Sequence, residues 1–192
     1  MIEAKDAKTP IPTNGGDWLR KFGDTWKSQT EKLKQKFDEK IEEIRMPPDY
    51  PTDVPIVYVK KDAIAEVLRF LKAEPEFEYA FLADITATDE ESEPRFEVVY
   101  NLASPRIGCR IRVKTRVREG EAVPTAVGVW AGANWAEREV YDMFGVKFVG
   151  HPDLRRILMD ARWKGHPLRK DYPLRGYQIF VEPEKVEKEL LE

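Results

Sequence analysis

The chain has 192 residues, of which 42% are hydrophobic and 35% charged, so it can form an apolar core beneath an ionic surface. Its formal net charge of -3 argues against a general nucleic-acid-binding protein, because such domains are usually basic. The single cysteine, Cys109, excludes an internal disulfide and an iron–sulfur cluster bound by four thiolates of this chain.

Export and membrane-insertion signals are not recognisable in the sequence. Residues 1–16 contain charges and no apolar stretch typical of a signal peptide. The longest stretch without Asp, Glu, Lys or Arg, residues 122–136, is shorter than the roughly 20 apolar residues of a membrane-spanning helix. We therefore expect a cytoplasmic protein.

The N-terminal quarter predicts a flexible lead followed by a long amphipathic helix. Residues 1–16 are polar and contain prolines and glycines, which favour a flexible segment. From Asp17 to Ile44 the apolar residues recur mostly every four positions, and the prolines of "MPPDYP" end the predicted helix. The apolar stripe fits the chain's own domain, a partner protein or a lipid headgroup surface, and the interleaved acids disfavour lipid.

The middle of the chain predicts an α+β domain with a mixed, mostly antiparallel sheet and helices on one face. Alternating or β-branched runs predict strands at residues 54–60, 77–89, 95–104, 107–118 and 125–130. Between the first two strands, Asp62 is a candidate N-cap for a helix whose apolar face contains Ile64, Val67, Leu68 and Leu71.

The strand predicted at residues 107–118 has two very different faces. One face is apolar, and the other carries Arg110, Arg112, Lys114, Arg116 and Arg118. Because successive side chains of a strand point to opposite faces, we expect the apolar set to face the core and the cations to face outward. Five cations in a row suit phosphate binding, but we favour a solvated face paired with acids such as Glu97 on a neighbouring strand.

A short helix is predicted from Asn134 to Phe144. Asn134 and Glu137 form a capping-box pattern, and Gly145 occupies the position where a glycine ends a helix. Glu137 and Glu139 are two positions apart and point in different directions, which is unfavourable for an acid–base pair. The helix therefore does not predict a catalytic carboxylate pair.

The two histidines give little support for metal binding. His151 and His166 lie fifteen positions apart, and each precedes a proline, whereas zinc helices place two histidines one turn apart. A proton-relay histidine remains open because imidazole titrates near neutral pH. No glycine-rich nucleotide-binding motif follows a strand. Structural hydrogen bonds are the default for both residues.

The last part of the chain is cationic, aromatic and irregular. From Gly145 to Phe180 it carries eight Lys and Arg against three Asp, with prolines and glycines that break any regular period. We expect an extended arm that does not bury itself along its own chain, and that is mobile without its partner. Arg, Tyr and Trp are typical of protein interfaces, and a nucleic-acid-binding arm is the alternative.

Three stretches closely resemble one protein family. "WAEREVYDMFGVKFVGHPDLRRILM" (135–159), "GHPLRKDYPL" (165–174) and "FLADITATD" (81–89) are similar to the 30-kDa subunit of respiratory complex I, which in bacteria is the C-type subunit of NADH-quinone oxidoreductase. The likeness covers roughly residues 52–180 and leaves residues 1–46 outside. The sequence is therefore identified as a member of that family.

The resemblance implies a cofactor-free subunit, not catalytic alone, in the peripheral arm of a proton-translocating NADH:quinone oxidoreductase. The family's C-terminal extension wraps the adjacent 49-kDa-type subunit beside the quinone site, next to other hydrophilic subunits. FMN and iron–sulfur clusters are then expected in partner subunits. The expected location is the cytoplasmic side of the bacterial inner membrane. Related subunits serve membrane-bound hydrogenases, the F420H2 dehydrogenase and the photosynthetic NDH complex, which remain alternatives.

The resemblance also implies a domain division and a set of partner-contact residues. The predicted segments are a lead and helix (1–46), an α+β domain (47–148) and a C-terminal docking arm (149–192). No catalytic, cofactor-binding or metal-binding residue is implied. The predicted partner-contact residues are Trp135, Glu137, Arg138, Glu139, Asp142, His151, Asp153, Arg155, Arg156, His166, Arg169, Lys170, Asp171 and Tyr172.

Overall fold

Five strands form one mixed sheet at the centre of the fold. The computed structural model describes the backbone of residues 15–177 and the side chains of residues 21–177. The strands are β1 (Ile41–Arg45), β2 (Ile56–Val59), β3 (Phe81–Asp89), β4 (Phe96–Ala103) and β5 (Arg110–Val117). Their order is β1-β2-β5-β4-β3, with β2 and β5 parallel and the other pairs antiparallel. The predicted mixed, mostly antiparallel sheet is confirmed.

Three helices and a second, two-stranded sheet complete the described fold. The helices are α1 (Gly15–Phe37), α2 (Ile64–Ala73) and α3 (Ala133–Phe144), and the small parallel sheet contains β6 (Ala122–Pro124) and β7 (Lys147–Val149). All three helices contribute buried side chains to the core that contains Val98, Tyr100 and Ile111 of the main sheet. The α+β class predicted from the sequence is therefore confirmed.

Helix α1 packs on its own domain, as one of the three predicted alternatives proposed. Trp26, Leu33 and Phe37 are buried in the common core. Gln29 adds polar contacts, since its side-chain oxygen accepts a hydrogen bond from the Tyr79 hydroxyl at 2.8 Å and its amide donates to the Glu76 carbonyl at 2.9 Å. From Lys21 onward, the described part of the apolar stripe is thus buried within the chain.

The predicted end of the first helix was wrong. Helix α1 stops at Phe37. A 3₁₀ helix follows at Asp38–Lys40, and the rest of the predicted helix belongs to β1, which pairs antiparallel with β2 in the register Ile41 to Val59 and Arg45 to Ile56. Ile41 and Ile44 are half-buried against the core as strand residues. Long-range pairing with β2 outweighs a local helical period, because β structure depends on cross-strand context. The division into segments 1–46, 47–148 and 149–192 stays a prediction. Its first boundary lies between the paired strands β1 and β2.

Two other strand predictions need correction. The strand predicted at 77–89 begins at Phe81, and an irregularity between Leu82 and Asp84 leaves Phe81 57% exposed while Ile85 is buried. An extra residue in one strand changes which side chains face the core, so strict alternation misassigns Phe81. The segment predicted at 125–130 is a turn after β6, in which the N–H groups of Val129 and Trp130 donate to the Ala126 carbonyl.

The cationic face of β5 is paired with acids and amides, as the favoured alternative predicted. Lys114 contacts Glu97 at 2.6 Å, and Arg112 donates to the Asn101 side-chain oxygen at 3.0 Å. Arg116 lies 3.3 Å from Glu43 and stacks over the buried Tyr58 ring with 4.2 Å to its centroid. These contacts describe an ion-paired outer face of the sheet.

Neither predicted N-cap is formed. Helix α2 follows a 3₁₀ turn at Lys61–Ala63 without a side-chain cap, so Asp62 is not its N-cap. Helix α3 begins at Ala133 after Gly132, also without a side-chain cap, and the predicted capping box was wrong. At the other end the prediction is confirmed, because Gly145 has φ 80° and donates its N–H to the Tyr141 carbonyl.

Candidate functional site

The C-terminal end of α3 is covered by the chain that follows it. A helix leaves its last carbonyl groups without partners inside the helix. Here His166 Nδ1–H donates to the Asp142 carbonyl at 2.9 Å, Leu168 N–H donates to the Met143 carbonyl at 3.1 Å, and Arg169 Nε–H donates to the Phe144 carbonyl at 2.6 Å. The arginine also places positive charge at the negative end of the helix dipole. The "GHPLR" stretch is therefore the cap of α3.

Asp142 organises the turn at residues 157–159. Its buried carboxylate accepts from Arg156 Nη1 at 2.7 Å on one oxygen and from the N–H groups of residues 157–159 at 3.0, 2.8 and 2.8 Å on the other. Burial raises the pKa of Asp142, but the three N–H groups and the guanidinium outweigh burial and lower it overall. Arg156 Nη2 also donates to the Gly165 carbonyl at 2.9 Å. The Arg156 side chain therefore joins the stretch around Gly165 to Asp142 of α3.

Arg138 and His151 attach the start of the same segment. Arg138 donates to the carbonyl groups of Arg155 and Arg156 at 3.0 and 2.9 Å, and its guanidinium lies 5.6 Å from the centre of the Trp135 ring. His151 Nδ1 accepts from the Asp153 N–H at 3.0 Å, which leaves Nε2–H to donate to the Asn134 carbonyl at 3.1 Å. Both ring nitrogens of His151 are thus used in structural bonds.

A second attachment joins the arm to the hairpin between β3 and β4. Arg95 binds both oxygens of Asp89, at 3.1 and 3.0 Å, and the Lys170 N–H donates to the same carboxylate at 3.0 Å. The Arg95 guanidinium and the N–H groups of Lys170 and Glu91 hold the pKa of Asp89 at about 2, against the opposing effect of burial. Arg95 also contacts Asp171 at 2.8 Å and Glu119 at 2.7 Å.

Arg169 connects the two attachments. Its Nη1 donates to Glu119 at 2.6 Å, while its Nε caps α3 and its guanidinium lies 5.2 Å from the centre of the Phe96 ring. Sequence reasoning missed Asp89, Arg95 and Glu119 as members of this cluster. Asp89 lies in the "ITATD" stretch of the family resemblance, which was a signal, whereas nothing local in the sequence connects Arg95 or Glu119 with the arm.

Two glycines make this close packing feasible. A Cβ at Gly145 would lie 2.5 Å from Arg169 Nη2 and 2.6 Å from His166 Nε2, and a Cβ at Gly165 would lie 2.6 Å from the Tyr172 ring. Tyr172 also contacts Tyr177, with ring centres 5.0 Å apart. Any side chain at these two glycines would displace the groups that cap α3 or the aromatic cluster.

Glu137 faces the interior of the chain. Its fully buried carboxylate accepts from the Thr125 hydroxyl and from the Ala126 N–H, both at 2.6 Å. Burial is the main cause that raises the pKa of Glu137, and the two donors oppose it. Glu139, two positions later, is exposed, so the two carboxylates do not converge on one substrate atom.

The described part of the predicted arm bonds to its own chain but is not buried in it, as the sequence predicted. Residues 150–177, called the described arm from here on, are attached at α3 and at the β3–β4 hairpin by the bonds above. None of these residues is buried, however. Leu158, Leu168, Leu174 and Tyr177 are 62%, 54%, 104% and 65% exposed. The described arm is therefore held by bonds to its own domain and still exposes apolar side chains.

The fourteen predicted partner-contact residues fall into two groups in the structure. One group bonds mainly within the chain: Glu137, Arg138, Asp142, His151, Arg156, His166, Arg169 and Tyr172. The other group is exposed: Trp135, Glu139, Asp153, Arg155, Lys170 and Asp171. Contact of either group with another subunit stays a prediction.

The geometry of the described residues offers no metal centre. Within residues 15–177, no group of three or more His, Cys, Asp and Glu side chains is arranged to hold a metal ion. His151 and His166 bond to carbonyls of Asn134 and Asp142, which are eight positions or about 12 Å apart along α3. Across the same described range, no helix is long and apolar enough to span a lipid bilayer.

Comparison with known proteins gives a consistent result. The family model for the respiratory-chain NADH dehydrogenase 30 Kd subunit matches residues 57–178. A C-type subunit of NADH-quinone oxidoreductase from Rhizobium meliloti is 51% identical over 126 residues, which cover 65% of this chain and 69% of that protein. The C-type subunit of NADH-quinone oxidoreductase from Geotalea uraniireducens is 47% identical over 147 residues, which cover 76% and 86%.

Further matches are a mitochondrial subunit and a chain of an archaeal complex. The 30.4 kDa subunit of Neurospora crassa mitochondrial NADH-ubiquinone oxidoreductase is 51% identical over 131 residues, 67% of this chain but 46% of that protein. A chain in the structure of the membrane-bound sulfane sulfur reductase, an archaeal respiratory membrane complex, superposes with a TM-score of 0.60 at 26% identity, covering 86% of this chain and 92% of that one. The chain belongs to the family of the respiratory-chain NADH dehydrogenase 30 Kd subunit.

Proposed function

We propose that this chain is a non-catalytic subunit in the peripheral part of a proton-translocating NADH:quinone oxidoreductase. Family membership and the names of relatives at about 50% identity support this assignment. In the proposal, FMN and iron–sulfur clusters are held by partner subunits. The chain lies on the cytoplasmic side of a bacterial inner membrane and is attached through the complex.

The described arm is the proposed docking surface for the 49-kDa-type subunit. The observation that carries this proposal is that the arm is fixed to its own domain yet exposes four large apolar side chains, Leu158, Leu168, Leu174 and Tyr177. Burying an exposed leucine side chain contributes about 1.5–3 kcal/mol. A preformed surface also loses less conformational entropy on binding than a mobile one. Both effects favour association with another subunit.

A related electron-transfer complex is the second candidate. The structural likeness to a chain of the sulfane sulfur reductase complex shows that this fold also occurs outside NADH-quinone oxidoreductases. The curated relatives reported above are named as subunits of NADH-quinone or NADH-ubiquinone oxidoreductases, which favours the first candidate. Mass spectrometry of the complex that co-purifies with the tagged chain distinguishes the two, because the electron-input subunits differ.

A matched pair of variants tests the docking surface. Leu168→Asp with Leu174→Asp places two charges on exposed residues of the described arm. Tyr50→Asp places one charge on an exposed aromatic residue outside the arm. We expect the double variant to unfold at the wild-type temperature but to lose co-purification with the 49-kDa-type subunit from native membranes. Tyr50→Asp should still co-purify with the 49-kDa-type subunit. Co-purification of the double variant at the wild-type level would refute the docking site.

Charge reversal at Arg155 gives a second test. Its side chain is 74% exposed and pairs with the neighbouring Asp153, so Arg155→Glu perturbs the surface with little effect on the fold. Arg156 is unsuitable for this purpose because it binds the buried Asp142. We expect Arg155→Glu to weaken co-purification while the thermal unfolding temperature stays unchanged.

A further inference from the structure

The exposed side of the described arm carries an excess of positive charge. Residues 150–177 contain seven Lys and Arg and three Asp, a net charge of +4, in a chain whose net charge is -3. Each of the three Asp contacts an arginine of the same chain: Asp153 pairs with Arg155, Asp160 with Arg162 and Asp171 with Arg95. Four of the seven cations are also paired within the chain, since Arg155 and Arg162 pair with two of these aspartates and Arg156 and Arg169 bind Asp142 and Glu119. The outward positive charge therefore comes from exposed cations such as Lys170 and Arg175.

Apolar and cationic residues alternate on this surface. Lys170 follows Leu168 by two positions, and Arg175 is adjacent to Leu174, and all four are exposed. The backbone N–H of Leu158 bonds to Asp142 and that of Leu168 to Met143, so neighbouring residues of α3 hold both leucines near each other. The segment therefore presents exposed leucines with exposed cations close to them in the chain.

Trp135 is a further exposed aromatic residue, on the helix α3 that holds the arm. It is 66% exposed, and its ring packs against Arg138, which binds the carbonyls of Arg155 and Arg156. Tryptophan, tyrosine and arginine contribute most strongly to protein interfaces when they become buried at the centre of a contact. Trp135 and Tyr177 are two exposed aromatic residues of this kind.

We propose that this surface, formed by Trp135 and the described arm, binds an acidic polypeptide surface: an apolar patch bordered by Asp and Glu side chains. The inference rests on the proposed function, and it adds the chemistry that the partner must present. Carboxylates opposite Lys170 and Arg175 accelerate encounter and select the correct orientation, while the apolar centre provides most of the affinity.

A protein partner fits better than a lipid surface. Peripheral helices that lie on lipid headgroups satisfy their backbone N–H and C=O groups internally, whereas the described arm after β7 contains no helix or strand. Exposed backbone groups of an irregular segment find partners on another polypeptide or in water.

The test measures the affinity of the full chain for the purified 49-kDa-type subunit between about 50 and about 300 mM NaCl, where screening changes strongly. Lys170→Glu with Arg175→Glu reverses two arm cations. Lys27→Glu with Lys34→Glu makes the same change at exposed positions of α1. We expect the arm variant to bind about tenfold more weakly at low salt with a flatter salt dependence, and the α1 variant to match the wild type.

The outcomes separate this inference from the proposed function. If the arm charge reversal leaves affinity and salt dependence unchanged while Leu168→Asp with Leu174→Asp abolishes binding, the acidic partner is refuted and the docking site stands. If neither variant affects binding, both fail. Phosphatidylcholine vesicles with about one-third phosphatidylglycerol serve as the lipid probe. Loss of vesicle binding by the charge-reversed variant, without loss of subunit binding, would overturn the inference in favour of a membrane.

Discussion

Arg156 donates to the buried carboxylate of Asp142 at 2.7 Å, and the other oxygen of that carboxylate accepts three consecutive backbone N–H groups, those of residues 157–159. One side chain on α3 thus fixes both a guanidinium and a turn of irregular backbone. An irregular segment that lacks helix and strand bonds needs such external acceptors to be ordered. The described arm therefore depends on Asp142 for its position.

Asp142→Asn is expected to release the arm from α3. The amide keeps the size of the side chain but removes its charge and one acceptor, and it leaves Arg156 beside a neutral group. Breaking a largely buried pair by removing one partner costs about 3 kcal/mol. Hydrogen exchange should show lost protection at residues 157–159. The exposed Asp153→Asn is the control, and equal protection in both variants would refute the role of Asp142.

Gly145→Ala is expected to destabilise the protein more than Gly120→Ala. Both glycines have a positive φ, 80° and 82°, so both alanines adopt a left-handed conformation at a cost of about 1–2 kcal/mol. A Cβ at Gly145 also collides with His166 and Arg169, whereas a Cβ at Gly120 meets no atom within 4 Å. Urea unfolding should therefore separate the two variants by at least about 1 kcal/mol. Equal losses would show that the cap of α3 adapts.

Asp89 should make the protein sensitive to acid. Its pKa of about 2 in the folded chain lies below the unfolded value of about 3.9, so its ionised form stabilises the fold by about 2–3 kcal/mol. A lowered pKa gives stability that is present above the unfolded pKa and is lost as pH falls through the folded pKa.

Urea unfolding of Asp89→Asn at several pH values tests this expectation. The wild type should exceed the variant in stability at pH 7, and the difference should shrink between about pH 4 and pH 2. Asp53→Asn, at an exposed position, controls for the loss of one carboxylate. A difference between wild type and Asp89→Asn that does not change with pH would contradict the prediction.

Glu137 should have the opposite pH dependence. Burial raises its pKa in the folded chain, so its contribution to stability is complete below the unfolded pKa and is lost as pH rises through the folded pKa. Glu137→Gln has no charge to bury and keeps an oxygen that accepts from Ala126 N–H. The stability of this variant relative to wild type should increase from pH 4 to pH 8. Glu139→Gln is the exposed control, and a relative stability that falls with pH would refute the assignment.

Regular patterns in the sequence predicted the helices and strands that have one buried face. Helix α2 and strands β4 and β5 were predicted correctly because their apolar residues follow the period of one buried face. The end of α3 was predicted correctly because Gly145 has the positive φ that favours glycine. The predicted helix at residues 41–44 failed because β1 exists through its pairing with β2. The predicted capping box failed because Glu137 accepts hydrogen bonds from Thr125 and Ala126.

The sequence predicted which residues belong to the candidate site, but it did not predict which groups they hydrogen-bond. The motif stretches contain Asp142, Arg156, His166 and Arg169, and their resemblance to one family identified them as a group. The structure shows that these four attach the described arm to its own domain. Lys170 and Asp89 are bonded although they are 81 positions apart, a relationship that no local pattern records.

Family membership, the α+β class and the cationic, irregular character of residues 150–177 were readable from the chain itself, because composition, motif and periodicity are local properties. Folding decided that Asp142, Arg156 and His166 face inward while Leu168 and Leu174 remain exposed. The physical reason is that a polar side chain takes its direction from the donors and acceptors brought within about 3 Å of it, and in this protein those groups come from distant segments.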